Sequence, residues 1–113
     1  MHELSLAESM VSELKEYIER EKVNKVFSVT VQMGYFSGVE KEPFEFAYPI
    51  VTEGTKLEGS KLIVEELAGI VLCSDCNKKT QLDIPLIQCG SCSSRNVTFT
   101  QGKEFLIKSM EIE

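Results

Sequence analysis

Four cysteines in two closely spaced pairs constrain this chain more than any other feature of its sequence. Cys73 and Cys76 form one C-x2-C pair, and Cys89 and Cys92 form a second after twelve intervening residues. Two residues between cysteines allow a tight turn to direct both sulfurs at one ion about 2.3 Å away, and two such turns complete a tetrahedron. The spacing predicts a closed, structural zinc site. A four-sulfur iron centre, disulfides and free thiols are the alternatives.

The length and composition limit what can surround this site. A chain of 113 residues suffices for one domain, or for a small domain carrying a smaller one, but not for two independent cores. The longest apolar stretch, Ala68–Leu72 before Cys73, is too short to cross a bilayer, so we expect no membrane association. A net charge of -6 disfavours nucleic acid as a partner, because a phosphate backbone would be repelled.

Hydrophobic periodicity predicts an α+β fold. Apolar residues at steps of three and four predict helices, and alternation predicts strands. Helices are predicted at Leu4–Arg20 and Pro43–Val51, and strands at Val26–Met33, Lys61–Leu67 and Glu104–Ile112. In the first strand, Phe27, Val29, Val31 and Met33 are predicted to share the buried face.

The cysteine segment interrupts this pattern just before the last strand. The predicted architecture is a small α/β domain, with two helices on a three-stranded mixed sheet, formed by residues 1–70 and 102–113. A zinc-ribbon-like four-cysteine domain is inserted at residues 71–101. About thirty residues with few apolar side chains cannot build a core alone, so metal binding should supply much of the insert's folding free energy.

The single histidine stands beside the chain's first amine. Met1 offers its amine, His2 its imidazole, and the amide nitrogens of His2 and Glu3 complete a set of four nitrogens. Deprotonated amides impose a planar field that suits nickel(II) or copper(II) rather than zinc. Glu3 could add a carboxylate ligand or hold the imidazole. The competing interpretation is that His2 is simply exposed and that Glu3 stabilises a helix dipole.

The remaining residues do not favour an enzyme. All four cysteines are assigned to the predicted metal site, and the chain has only one histidine. Neither a Cys/His pair nor a Ser/His/Asp triad can therefore be assembled. A phosphate-binding loop of the G-x4-G-K-[ST] type is absent, so any nucleotide hydrolysis would require a partner. The first ten residues lack a targeting signal, and we therefore expect a cytoplasmic protein, where thiols remain reduced.

Together these residues resemble the HypA family of hydrogenase maturation nickel metallochaperones. The resemblance covers essentially the whole chain. It rests on Met1-His2-Glu3, Gly34 through Gly38, Phe44-Glu45-Phe46-Ala47, Gly54-Thr55, the pairs Cys73/Cys76 and Cys89/Cys92, Gly102-Lys103-Glu104 and the terminal Ser109-Met110-Glu111-Ile112-Glu113. The conjunction of the Met-His-Glu start with two cysteine pairs is its most specific part.

The resemblance implies a nickel site formed by Met1, His2 and Glu3 and a structural zinc site formed by the four cysteines. It implies a nickel-binding GTPase partner, HypB, and delivery of nickel to the large subunit of [NiFe]-hydrogenase, in some organisms also towards urease maturation proteins. Asn77 and Ser93 stand where some relatives carry histidines, so a histidine-dependent pH response of the zinc site is not implied. A homodimer formed by exchange of the last strand or the insert is compatible with the sequence.

The alternative from another class is a zinc-ribbon protein-interaction module with no nickel function. A hydrolytic zinc enzyme would need an open coordination position, which four cysteines do not leave. The charge is unevenly distributed: the insert carries three basic and two acidic residues, whereas the remainder carries nine basic and sixteen acidic residues. An acidic docking face is therefore expected on the α/β domain, around Glu8, Glu13 or Glu16.

Overall fold

The computed structural model describes residues 2–113, which form two helices and six strands. In chain order these are α1 (His2–Arg20), β1 (Val26–Gly34), α2 (Lys41–Thr52), β2 (Lys61–Leu67), β3 (Gly69–Cys73), β4 (Lys79–Leu82), β5 (Val97–Gln101) and β6 (Phe105–Ile112). The strands form two three-stranded sheets, in the orders β2-β1-β6 and β4-β3-β5. The predicted α+β class is confirmed, and the predicted helices and strands all form near their expected bounds.

The chain divides into two compact units. Residues 2–31, 39–65 and 106–113 belong to the first unit, and residues 32–38 and 66–105 belong to the second. The first unit contains both helices, and the second contains all four cysteines.

Helix α1 owes its length to an amphipathic pattern and its end to a local motif. Its buried residues recur at steps of three and four: Ala7, Met10, Val11, Leu14 and Ile18. At the C-terminus, Lys22 adopts a left-handed conformation with φ of 54°. The N–H of Val23 donates to the carbonyl of Ile18 at 3.0 Å, and both side chains are buried. This is the Schellman arrangement, and it ends the helix by satisfying a carbonyl that has no partner within the helix.

Helix α2 packs beside α1 in the first unit. Phe44, Ala47 and Tyr48 form its buried face, and the valines of β1 complete this core with Val26, Val29 and Val31 all fully buried. Pro49 lies inside the helix, where it removes one backbone donor. The helix nevertheless continues to Thr52, whose hydroxyl donates to the Tyr48 carbonyl at 2.9 Å.

The second unit has a small apolar core. Strand β3 lies between β4 and β5 and pairs antiparallel with both, with an irregularity between Ile70 and Val71. Apart from cysteines, its buried apolar side chains are Met33, Val71 and Leu82. So little buried apolar surface cannot stabilise forty-odd residues alone, which agrees with a structural metal.

One expectation for β1 is wrong. Val29, Val31 and Met33 are buried as predicted, but Phe27 is exposed, and Val26 is fully buried instead. The alternation therefore breaks at the first residues of the strand. By alternation Val26 lies on the opposite face of the strand from Val29 and Val31, and burial on each face depends on which elements pack against it.

Three segments of the second unit approach one another at glycines. A Cβ on Gly34 would lie 2.1 Å from the Gly102 carbonyl oxygen, and one on Gly102 would lie 2.6 Å from the Gly69 Cα. Gly102 also has φ of +114°, which residues with side chains rarely adopt. The same carbonyl of Gly102 accepts a hydrogen bond from Phe36 N–H at 2.7 Å. Backbone contacts of this kind leave no room for a side chain.

We expect Gly102→Ala to lower the free energy of unfolding of the second unit by about 2 kcal/mol, because backbone atoms would have to move apart. The matched control is Gly38→Ala in the same unit, which has φ of +84° but nothing within 4 Å of the added Cβ. It should cost only the conformational penalty of roughly 1 kcal/mol. Urea unfolding followed by NMR signals of residues 66–105 measures both. Equal losses would contradict the close approach.

Candidate functional site

The four cysteines, separate in sequence, come together in the second unit. Cys73 ends β3, Cys76 lies in the turn that follows, and Cys89 and Cys92 lie between β4 and β5. Their sulfurs all lie within 4.8 Å of one another. Cys73, the last residue of β3, pairs with Val97, the first residue of β5. This pairing brings together the turn that follows β3 and the turn that precedes β5, which carry the two C-x2-C pairs.

The sulfur spacing fits a tetrahedral ion. The Sγ atoms of Cys73 and Cys92 are 3.6 Å apart, and those of Cys76 and Cys89 are 3.5 Å apart. Four sulfurs at about 2.3 Å from a central ion would be separated by about 3.8 Å. A disulfide requires about 2.0 Å, and all four cysteines are free. The donor set therefore fits a four-thiolate metal site.

The two turns have the same backbone geometry. Asn77 and Ser93, each following the second cysteine of its pair, adopt left-handed conformations with φ of 60° and 62°. Asn77 N–H donates to the Cys73 carbonyl at 2.9 Å, and Ser93 N–H donates to the Cys89 carbonyl at 3.0 Å. Each turn thus directs its two sulfurs toward the same point.

A backbone donor lies beside the sulfur of the first cysteine of each pair. Asp75 N–H lies 3.3 Å from Cys73 Sγ, and Ser91 N–H lies 3.3 Å from Cys89 Sγ. The backbone N–H groups of Cys92 and Ser91 lower the pKa of the Cys89 thiol to about 6. Hydrogen bonds to the charged form stabilise it, and the thiolate is the form that binds metal.

The pKa values of the Cys76 and Cys92 thiols are raised, so these two thiols resist ionisation. The backbone N–H of Ser94 favours ionisation of the Cys92 thiol. The contacts of the Cys92 sulfur with the sulfurs of Cys73, Cys89 and Cys76 outweigh this effect and raise the pKa of Cys92 to about 12. Four thiolates at such distances repel one another, and a divalent cation among them removes the repulsion. The chemistry of the site therefore fits a bound cation.

Two contacts that the sequence did not predict hold the turns in place. The Ser94 hydroxyl donates to the Asp75 carboxylate and thereby links the two cysteine turns. The Thr80 hydroxyl accepts a hydrogen bond from Gly90 N–H at 2.9 Å. The sequence carries only one signal for the contact between Ser94 and Asp75: a carboxylate lies inside one C-x2-C pair, and a hydroxyl lies just after the other.

The predicted N-terminal site lies in the first unit. Met1 lies outside the described residues. His2 begins α1 with its side chain 63% exposed, whereas the Glu3 side chain is only 14% exposed. The Glu3 Oε2 atom lies 3.4 Å from His2 Nδ1 and accepts a hydrogen bond from Glu40 N–H at 3.3 Å. Glu3 therefore contacts both the imidazole and the residue that precedes α2.

These contacts keep the Glu3 carboxylate charged. The Glu40 backbone N–H lowers the pKa of Glu3 most, followed by its own backbone N–H and by His2. The carboxylate therefore lies beside two of the predicted nickel-binding nitrogens, the imidazole and the residue-3 amide. Sequence reasoning suggested a role for Glu3 but could not predict Glu40, which is 37 residues away.

Within residues 2–113, no helix is both long and apolar enough to cross a membrane.

The fold and the cysteine site define a small α+β metal-binding protein. The family described as "Hydrogenase/urease nickel incorporation, metallochaperone, hypA" matches residues 1–112. The hydrogenase maturation factor HypA of Caldanaerobacter subterraneus subsp. tengcongensis is 36% identical over 114 residues, with all of both chains covered. The corresponding factor of Chlorobium limicola is 32% identical over 113 residues, covering all of this chain and 97% of the relative.

Solved structures similar to this chain belong to the same family. The chain is similar to the solution structure of the Ni metallochaperone HypA from Helicobacter pylori, with a TM-score of 0.68, 25% identity and coverage of 97% of this chain and 96% of that one. A second HypA solution structure gives a TM-score of 0.74 at 26% identity, covering 100% and 97%. This chain therefore belongs to the HypA family, the nickel metallochaperones of hydrogenase maturation.

Proposed function

We propose that this chain binds Ni(II) at its first three residues and delivers it to the large subunit of [NiFe]-hydrogenase during maturation. The observation that supports this most directly is the Glu3 carboxylate beside His2 Nδ1 at the start of α1. A negative group held next to an imidazole favours a divalent cation there.

The ligand set is the Met1 amine, the amide nitrogens of His2 and Glu3, and the His2 imidazole. The first N–H groups of a helix have no partner within it, so deprotonating the amides of residues 2 and 3 breaks no helical hydrogen bond. Of the two imidazole nitrogens, Nδ1 is the one close enough to the His2 amide to complete a chelate ring. It is also the nitrogen that faces Glu3, so Glu3 would exchange its contact with the ring for one with the cation.

The zinc assignment is part of the proposal. Cys73, Cys76, Cys89 and Cys92 would hold Zn(II), which favours tetrahedral thiolates and leaves no open position for a substrate. Zinc would then stabilise an inserted domain at residues 71–101 within a nickel-binding domain of residues 1–70 and 102–113. The chain would act as a metallochaperone and not as an enzyme.

The partners follow from the family's role. We propose a HypB-type nickel-binding GTPase as the co-acting protein, with urease maturation proteins as further clients and a homodimer as the assembled form. The setting is the cytoplasm, because four free thiols persist as metal ligands under reducing conditions.

The test is a nickel titration of the zinc-loaded, untagged chain. We expect one nickel per chain with a visible d–d band of Ni(II) bound through deprotonated amides. A matched protein with a Gly-Ser extension before Met1 should lose that band and keep its zinc, because its amine lies too far from the amides. An unchanged band in the extended protein would exclude the terminal amine as a ligand. The absence of any band in the untagged chain would instead favour a zinc-ribbon interaction module.

A further inference from the structure

An exposed apolar groove runs between α1 and α2 in the first unit. Phe46 and Ile50, four residues apart on α2, are 74% and 54% exposed. With Leu4, Pro43 and Ala47 they line a cavity of about 420 Å³. We call this surface, together with its continuation along Val11 and Val51, the α1–α2 groove.

The core does not require these exposed side chains. The opposite face of α2 is already buried through Phe44 and Tyr48. A phenylalanine that is three-quarters exposed beside an isoleucine, above an apolar cavity, forms a contiguous apolar patch rather than a scattered surface residue. Patches of this kind are typical of protein-binding sites.

The rim of the groove is acidic. Glu42 borders the cavity at its α2 side, and the continuation along α1 is lined by Glu8, Glu16 and Glu19, with Lys15 as the one base. All four carboxylates belong to exposed residues, and within residues 2–113 none of them forms an ion pair. The groove therefore presents an uncompensated negative charge around an apolar floor.

The groove begins at the candidate nickel ligands. Leu4 lines it and follows Glu3 directly, and the Glu3 carboxylate contacts Glu40 at the start of α2. Anything that contacts the Leu4 end of the groove would therefore lie two residues along the chain from His2. Binding there and nickel exchange would take place on one continuous surface.

We propose that the α1–α2 groove binds a basic amphipathic helix of a protein that exchanges nickel with this chain. This inference rests on the function proposed above. Along α1 the groove extends from Leu4 to Glu19, which corresponds to about 22 Å and so to about four turns of a bound helix. Its walls are helical side chains with no free strand edge, which favours an amphipathic helix over an added strand.

Charge complementarity selects the partner. Apolar residues at positions i, i+3, i+4 and i+7 of the bound helix would contact Phe46 and Ile50, and flanking Lys or Arg would face the four carboxylates. A second copy of this chain is a poorer occupant, because a symmetric interface would place this acidic rim against itself.

The probe is a synthetic helix of about sixteen residues, with leucines at the four apolar positions and lysines on both flanks. A matched peptide carries glutamates in place of the lysines. Fluorescence anisotropy with the full zinc-loaded chain should show saturable binding of the basic peptide alone, weakening at higher salt because the rim charges are screened. Equal binding of the acidic peptide, or no binding of the basic one, would overturn the proposal.

Variants locate the site. Phe46→Ser should weaken binding of the basic peptide by roughly tenfold or more, as expected for an aromatic anchor, and Glu42→Lys should weaken it in a salt-dependent way. The controls are Ile84→Ser, an apolar residue of the second unit that is 61% exposed, and Glu111→Lys, an exposed carboxylate of β6. Both controls should bind like the unaltered chain. Equal losses in the controls would contradict binding in the groove.

Two further measurements separate this proposal from the others. His2→Ala should lose nickel and still bind the peptide, whereas Phe46→Ser should bind nickel normally, so failure of the nickel site and failure of the groove are seen independently. Sedimentation tests for a second copy. A dimer of the unaltered chain that becomes a monomer in Phe46→Ser would assign the groove to self-association and overturn the proposal.

Discussion

Replacing Cys89 with alanine is expected to abolish stoichiometric zinc binding and to unfold the second unit while the first unit stays folded. Cys89 is buried, its sulfur lies 3.5 Å from that of Cys76, and its thiol has the lowered pKa that favours binding. Structural zinc sites supply on the order of 10 kcal/mol of folding free energy, which three ligands cannot retain. The few buried apolar side chains of this unit cannot replace that contribution.

The measurement combines metal analysis with NMR. Signals of residues 66–105 should collapse to the narrow range of an unfolded chain, and signals of α1 should remain dispersed. The control is Ser91→Ala in the same turn, since the structure assigns a metal-site contact to its backbone N–H but none to its side chain. A Cys89→Ala protein with a dispersed spectrum and no metal would mean that the unit folds without zinc.

Replacing His2 with alanine is expected to weaken nickel binding at least about 100-fold and to leave zinc bound. Removal of the imidazole takes away one of four proposed donors and the chelate ring that it completes, a larger loss than that of a residue that only supports a ligand. Zinc is unaffected because the cysteines belong to the other compact unit. Competition with a chromophoric chelator measures nickel affinity, and zinc is determined in the same samples.

Two carboxylate variants, one beside His2 and one further along α1, test whether the loss of nickel affinity is specific to the N-terminal site. Glu3→Gln should weaken nickel binding by roughly tenfold, because it removes the charge beside His2 Nδ1 but not a nitrogen donor. Glu8→Gln, five residues further along α1 and exposed, should change the nickel affinity little. If His2→Ala and Glu8→Gln have the same nickel affinity as the unaltered chain, the N-terminal site is disproved.

Local patterns predicted the regular elements well. The α1 stripe from Ala7 to Ile18 and the run of β2 from Lys61 to Leu67 follow from the sequence because helix and strand periodicity are properties of neighbouring residues. Phe27 was misplaced because its burial depends on which part of the strand another element covers. Strands β3, β4 and β5 were not predicted as elements, since each is only four or five residues long and two of them flank the metal turns.

The same distinction applies to the sites. The sequence predicted the four cysteines as one metal-binding set and His2 as a nickel ligand beside the terminal amine, because each cysteine pair, and the first residues of the chain, place their donor atoms within a few positions of one another. Only the tertiary structure decided that Glu3 contacts Glu40, that Ser94 links its turn to Asp75, and that Phe46 and Ile50 remain exposed beside the first residues. Those contacts join residues far apart in the chain, and they exist because the packing of α1 against α2 and the pairing of β3 with β5 bring their elements together.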